Sequence, residues 1–156
     1  MNHETYLAKT IELAVENVEK GTGGPFAAII VKNGEIVGIG KNSVTTKNDP
    51  TAHAEVQAIR NACEKLGTFQ LDECVLYSSC EPCPMCFGAI YWARPKEVYF
   101  AGNKHDAASV GFDDAFIYEE LKKKHQEQSI CFHEINIKEK TKPFEKWTDN
   151  NQKVEY

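Results

Sequence analysis

The sequence predicts an α/β fold of three layers, α/β/α, around a mixed five-stranded sheet. Three observations predict it. The chain has 156 residues, about one domain's worth, and a domain of that size buries roughly two thirds of its unfolded surface. Its apolar fraction of 42% and charged fraction of 26% are those of an ordinary globular protein. Its hydrophobic periodicities run helix, hairpin, then helix and strand in alternation, the order expected of a sheet covered on both faces.

Leu7, Ile11, Ala14, Val15 and Val18 recur at helical spacing until Gly21, so residues 3–20 read as an amphipathic helix. Residues 26–32 form an apolar strand, Asn33-Gly34 is a strong hairpin turn, and residues 35–41 return as its partner. A polar loop over 43–50 leads to a second helix with Val56, Ile59, Cys63 and Leu66 as its buried stripe. Asp49 and Thr51 are candidate caps there, Pro50 suits a first turn, and Gly67 ends the helix. Residues 74–78 read as a third strand, 84–92 as a short helix and 97–101 as a fourth strand. Residues 113–124 read as a helix, and 130–137 as a fifth strand whose alternation slips near Glu134, as at a bulge. A last helix starts near Pro143. No repeat or linker divides the chain, so residues 1–156 are expected to form one domain, with 143–156 as a C-terminal tail.

Lysine plus arginine number 18 against 23 acidic residues, a formal net charge of −5, which argues against a general nucleic-acid binder. The longest apolar run, Phe26 to Val31, is far too short to span a bilayer. The first five residues are polar, so neither a secretory leader nor a transit peptide is expected, and the chain reads as cytoplasmic. In that compartment the six cysteines (Cys63, Cys74, Cys80, Cys83, Cys86 and Cys131) point to metal binding or burial rather than disulfides. Three of them fall between Cys80 and Cys86.

Two segments carry chemistry. His53-Ala54-Glu55 opens the second helix, and Pro82-Cys83-Pro84-Met85-Cys86 opens the third. Cys83 and Cys86, one helical turn apart, present both sulfurs to one point. With His53 they form a nitrogen and sulfur set suited to one zinc ion with an open fourth position. His53 and Glu55, two residues apart, can address one ion only if it lies off the helix end. Helix N-termini aimed at the metal then favour the thiolates. Two thiolates offset the metal's charge, which makes a neighbouring base useful, and Glu55 is the one available. Cys-x-x-Cys alone also fits a redox pair, and Cys80 as fourth ligand would give a structural zinc site.

Asn48–Arg60 (NDPTAHAEVQAIR) together with Glu81–Arg94 (EPCPMCFGAIYWAR) resembles the cytidine deaminase superfamily. In its zinc deaminases this pairing places the glutamate as proton shuttle, not ligand. Within the superfamily the chain is most similar to the small bacterial guanine deaminases. That likeness includes Gly23-Gly24-Pro25-Phe26, Gly111-Phe112-Asp113-Asp114 and the terminal Glu155-Tyr156. The tRNA adenosine deaminases share both metal motifs and are the alternative. Their Asp-x-Lys-x-Gly-Ala segment is missing here, where the chain reads Asn103-Lys104-His105-Asp106-Ala107-Ala108. A zinc-stabilised binding protein without turnover is a further alternative, against which Glu55 speaks.

The resemblance implies a cytidine deaminase-like fold and hydrolysis of guanine to xanthine and ammonia in purine catabolism or salvage. It also implies one zinc per chain held by His53, Cys83 and Cys86, and Glu55 as base and then acid. The expected partner is a small purine base, with no membrane or nucleic acid, and the chain is expected to be a homodimer. Asn42, able to donate and accept, would read the O6/N7 edge, unless it caps a turn. Phe26 would stack on the ring or serve as core. Asp113 or Asp114 would accept a base N–H, Asp114 being favoured by the resemblance, and a helix cap is the competing use. Tyr156 would close over the base in its own or a neighbouring subunit. Tyr91 and Trp92 are expected in the core or a subunit contact.

Overall fold

The computed structural model describes residues 2–156 and divides into two compact units, one ending at Ala115 and the other Phe116–Tyr156. In the first, α1 (His3–Glu19) precedes the hairpin of β1 (Ala27–Lys32) and β2 (Glu35–Lys41). Asn33 and Gly34 both take positive φ, 51° and 81°, the backbone that a two-residue turn between right-twisted strands demands. A four-residue helix, α2 (Val44–Lys47), interrupts the predicted loop. Then come α3 (Ala54–Leu66), β3 (Cys74–Cys80), α4 (Pro84–Ala93), β4 (Glu97–Gly102) and α5 (Lys104–Ala108).

The sheet is mixed, ordered β2-β1-β3-β4, with β1 antiparallel to both neighbours and β3 parallel to β4. Strand alternation sorts its side chains into two cores. Ala28, Ile30, Cys74 and Leu76 pack with Ala54, Ala58 and Ala62 of α3 and Ile90 and Ala93 of α4. Ile29, Val31 and Tyr77 pack on the other face with Tyr6 of α1. The α/β/α layering is therefore as expected. The sheet has four strands among the described residues, not five. Residues 131–137 form no ladder; alternation alone does not make a strand, which needs a partner edge for its backbone groups.

Two helix faces differ from the periodicity. α1 buries Tyr6, Thr10, Ala14 and Asn17 and leaves Ile11, Val15 and Val18 about half exposed. α3 buries small residues, Ala58 and Ala62, while Ile59, Cys63 and Leu66 flank the core. The cause lies in β2, where a Cβ on Gly40 would stand 2.0 Å from the Ala54 carbonyl oxygen and 2.3 Å from the Ala58 nitrogen. Helix and strand backbones meet too closely for larger side chains.

The second unit contains α6 (Ala115–Lys122, beginning at the boundary), a 3₁₀ turn (His125–Glu127) and α7 (Lys142–Asp149). Glu120 organises it, its main-chain oxygen accepting from Gln128 Nε2 at 2.9 Å and its carboxylate from the Ser129 N–H at 2.7 Å. No residue of these three elements is buried. Among the described residues no helix is long and apolar enough to cross a membrane.

Candidate active site

Sheet register gathers the site residues at one end. Ala27 lies opposite Lys41 and Ala28 opposite Ser78, so the start of β1 and the ends of β2 and β3 coincide. The Asn42 N–H donates to the Phe26 carbonyl at 3.1 Å, and that of Glu81 to the Gly102 carbonyl at 2.7 Å, which brings the end of β4 to the same place. Ligand sites favour this carboxyl end of parallel strands.

The helix ends supply the residues that could hold a metal ion. His53 is the N-cap of α3 and Cys83 the N-cap of α4, with Pro84 in the first turn. The cap of α3 is thus neither Asp49 nor Thr51. Asp49 instead closes the turn before it, accepting from the Thr51 N–H at 2.8 Å and hydroxyl at 2.7 Å. An extended N-cap backbone points its side chain past the helix end, the condition that His53 and Glu55 needed.

His53 Nδ1 lies 3.4 Å from Cys83 Sγ and 3.6 Å from Cys86 Sγ. Zinc–sulfur and zinc–nitrogen bonds at a tetrahedral angle imply an edge of about 3.5 Å. The three ligand atoms, all within 4.8 Å of one another, fit the ion. Cys80 is outside this group; its thiol donates to the Asn103 carbonyl, and burial pushes it up to about 11, so it stays protonated. All six cysteines are free thiols.

Protonation follows from these contacts. The hydrogen bond from Cys86 brings the Cys83 thiol down to about 4, with help from His53 and against burial. Donating that bond, together with its own burial, raises Cys86. The contact with Cys83 raises His53 against the effect of burial. Metal binding at this group would release protons, because the ligands must be deprotonated to bind. Glu55, 6% exposed, is raised by burial. Its Oε2 accepts from Cys86 Sγ at 3.2 Å and its Oε1 from Ser78 Oγ at 2.9 Å. Ser78 was not among the residues expected here, and the signal for it was a hydroxyl at the parity of the buried Cys74 and Leu76.

The residues expected to meet a base each have contacts of their own. Asn42 Oδ1 accepts from the N–H of Gly24 at 3.2 Å and of Val44 at 3.4 Å. The capping use is real, and Nδ2 is what remains for a ligand. Asn17, buried on α1, holds the same loop by donating to the carbonyls of Gly24 at 2.8 Å and Asn42 at 2.9 Å. Phe26 is half-buried and meets Phe112 edge-on at 5.0 Å. Asp113 accepts from the Ala115 N–H at 2.9 Å, the cap-like use. Asp114 is raised by burial and next by the negative charge of Cys83. The two aspartates are therefore distinguishable. Tyr156 belongs to the second unit, where its ring meets Trp147 edge-on at 6.4 Å. Tyr91 and Trp92 are 67% and 63% exposed, which removes them from the core.

Residues 1–102 match the family model of the cytidine and deoxycytidylate deaminase zinc-binding region. The guanine deaminase of Bacillus subtilis is 57% identical over 156 residues, the whole of both chains. Its X-ray structure superposes with a TM-score of 0.99, over 100% of this chain and 99% of that one. A tRNA-specific adenosine deaminase of Aquifex aeolicus is 45% identical over 101 residues, 65% of this chain and 66% of that one. A guanine deaminase structure from Nitrosomonas europaea is 34% identical with a TM-score of 0.68, over 71% of this chain and 64% of that one.

Proposed function

The chain belongs to the zinc-binding cytidine and deoxycytidylate deaminase family, and we propose that it acts there on guanine, converting guanine and water to xanthine and ammonia. Zinc-dependent hydrolytic deamination is the activity, and the observation that carries the choice of base is the full-length match to a guanine deaminase. The tRNA deaminase reading rests on a partial match instead.

His53, Cys83 and Cys86 hold the metal, the donor set their separations fit. Zinc bound there supplies the Lewis acidity that brings a water's pKa towards neutrality. Glu55 takes one proton from the water that attacks C2 and passes it to ring N3; it then takes the remaining proton of the added hydroxyl, which becomes the C2 carbonyl, and gives it to the amino group that leaves as ammonia. Its raised pKa suits a group that must hold a proton between steps. Asn42 offers Nδ2 to the acceptors O6 and N7, Phe26 stacks on the ring, and Asp114 accepts an N–H of the base. The commitment of Asn42 Oδ1 to the backbone supports its donor role.

Residues 1–156 act as one enzyme domain, and the tail, 143–156, closes a site with Tyr156, either its own or a neighbouring subunit's. The protein works as a homodimer in the cytoplasm on a small purine base. Exposed Phe87, Tyr91 and Trp92 on α4 support a subunit contact, and the free thiols fit a reducing compartment. The test is ammonia release by zinc-loaded protein given guanine, adenine, cytosine, guanosine, cytidine and a tRNA anticodon stem-loop in parallel. Turnover of guanine alone is expected. Turnover of another substrate in its place would keep the deaminase and overturn the choice of base.

A further inference from the structure

We propose that Ser78 is a positioning residue for Glu55, holding Oε1 so that Oε2 alone carries the proton. The proposal rests on the reading of Glu55 as proton shuttle.

Alternation along β3 sends Cys74 and Leu76 into the apolar core against α3, and Ser78 shares their parity. A hydroxyl there, 1% exposed, forgoes the packing an apolar side chain would give and must find a partner. That partner is Glu55 Oε1 at 2.9 Å. Serine has one hydroxyl hydrogen, so the bond goes to one carboxylate oxygen only. Oε2 has the Cys86 thiol as donor at 3.2 Å, and Cys86 ceases to be a donor when it serves as a thiolate ligand. In the loaded protein the two oxygens are then unequal. Oε1 would remain tied to the strand, while Oε2 would keep no protein donor and be left to the water whose proton it takes. The terminal torsion of a glutamate is broad and nearly two-fold, so nothing intrinsic to Glu55 selects that orientation. The hydroxyl of a neighbouring strand selects it.

The experiment compares Ser78→Ala and Ser78→Thr, each alone and with Glu55→Gln, in zinc-loaded protein. Zinc content, equilibrium guanine affinity and steady-state kinetics are measured together. Ser78→Ala is expected to lower kcat by roughly 10- to 100-fold, with KM, guanine affinity and zinc content unchanged. Ser78→Thr restores most of the loss. In the Glu55→Gln background, Ser78→Ala costs nothing further, since no carboxylate remains to be held. A wild-type kcat for Ser78→Ala beside an inactive Glu55→Gln overturns the positioning role alone. So does an equal loss in both backgrounds. A wild-type kcat for Glu55→Gln overturns the shuttle reading and the positioning role together. Should Ser78→Ala fail to fold, the near-isosteric Ser78→Cys, a weaker donor, is read by the same criteria.

Discussion

His53 and Cys83 hold the same position on two different helices. Each is an N-cap with extended backbone, at φ −70°, ψ 155° and φ −69°, ψ 171°, and neither side chain makes the usual N-cap hydrogen bond. An N-cap side chain ordinarily satisfies a free N–H of the first turn. Here both are released from that duty and converge at 3.4 Å. The group that could hold zinc is made of two helix beginnings whose caps point at each other.

Cys83→Ala and Cys83→Ser are accordingly expected to lose zinc and turnover alike. They should differ in the metal-free state. Serine caps α4 and alanine cannot, so metal-free Cys83→Ser should be the more stable by about 1 kcal/mol. Metal analysis with urea unfolding of both stripped variants checks this. Retained zinc in either would remove Cys83 from the ligand set.

Glu55→Gln keeps the shape and the Ser78 hydrogen bond but cannot carry a proton. It should retain zinc and guanine affinity while kcat falls by roughly 10²- to 10⁴-fold. Single-turnover ammonia release beside a zinc assay measures both, and full activity in this variant would contradict the shuttle role.

Asn42→Asp isolates the donor. The aspartate keeps an oxygen for the N–H groups of Gly24 and Val44, so the loop stays in place, but it replaces Nδ2 with an oxygen facing O6 and N7. KM for guanine should rise by about tenfold or more, with little change in melting temperature. Asn42→Ala should lower both affinity and stability. An unchanged KM in the aspartate variant would confine Asn42 to its turn.

Both ligand segments were legible in the sequence because metal chemistry admits few residue types and fixes their spacing. The hairpin was legible because Asn33-Gly34 specifies its own turn. What periodicity missed depends on neighbours. It assigned Ile11, Val15 and Val18 to the core, whereas the sheet receives Tyr6, Thr10, Ala14 and Asn17. It marked the large residues of α3, whereas close backbone approach selects Ala58 and Ala62. Ser78 could not be paired with Glu55 before the register of β3 against α3 was known. A fifth strand was expected at 130–137 because alternation is local and a pairing edge is not.

Gly40→Ala tests the close approach that positions the site. Its Cβ would press on the backbone at Ala54 and Ala58, and α3, which carries His53 and Glu55, must shift. Overpacking of this kind costs about 1–3 kcal/mol. Urea unfolding should show the loss, and zinc affinity should fall with it although no ligand has changed. Wild-type zinc affinity in a destabilised Gly40→Ala protein would show that the ligands tolerate movement of the helix.

The tail gives the last prediction. Val154 and Tyr156 are 62% and 69% exposed, so removing Val154 to Tyr156 takes little burial from the folded chain. Thermal stability should therefore hold, which lets a kinetic change be read as one. If Tyr156 closes over the bound base, the truncated protein should show a raised KM for guanine or no turnover, with full zinc content. Tyr156→Phe would then separate the ring from the hydroxyl: a ring that only covers the base is replaced by phenylalanine, and a hydroxyl that contacts it is not. Unchanged kinetics after truncation would take the tail out of the mechanism and leave Asn42, Phe26 and Asp114 to hold the base alone.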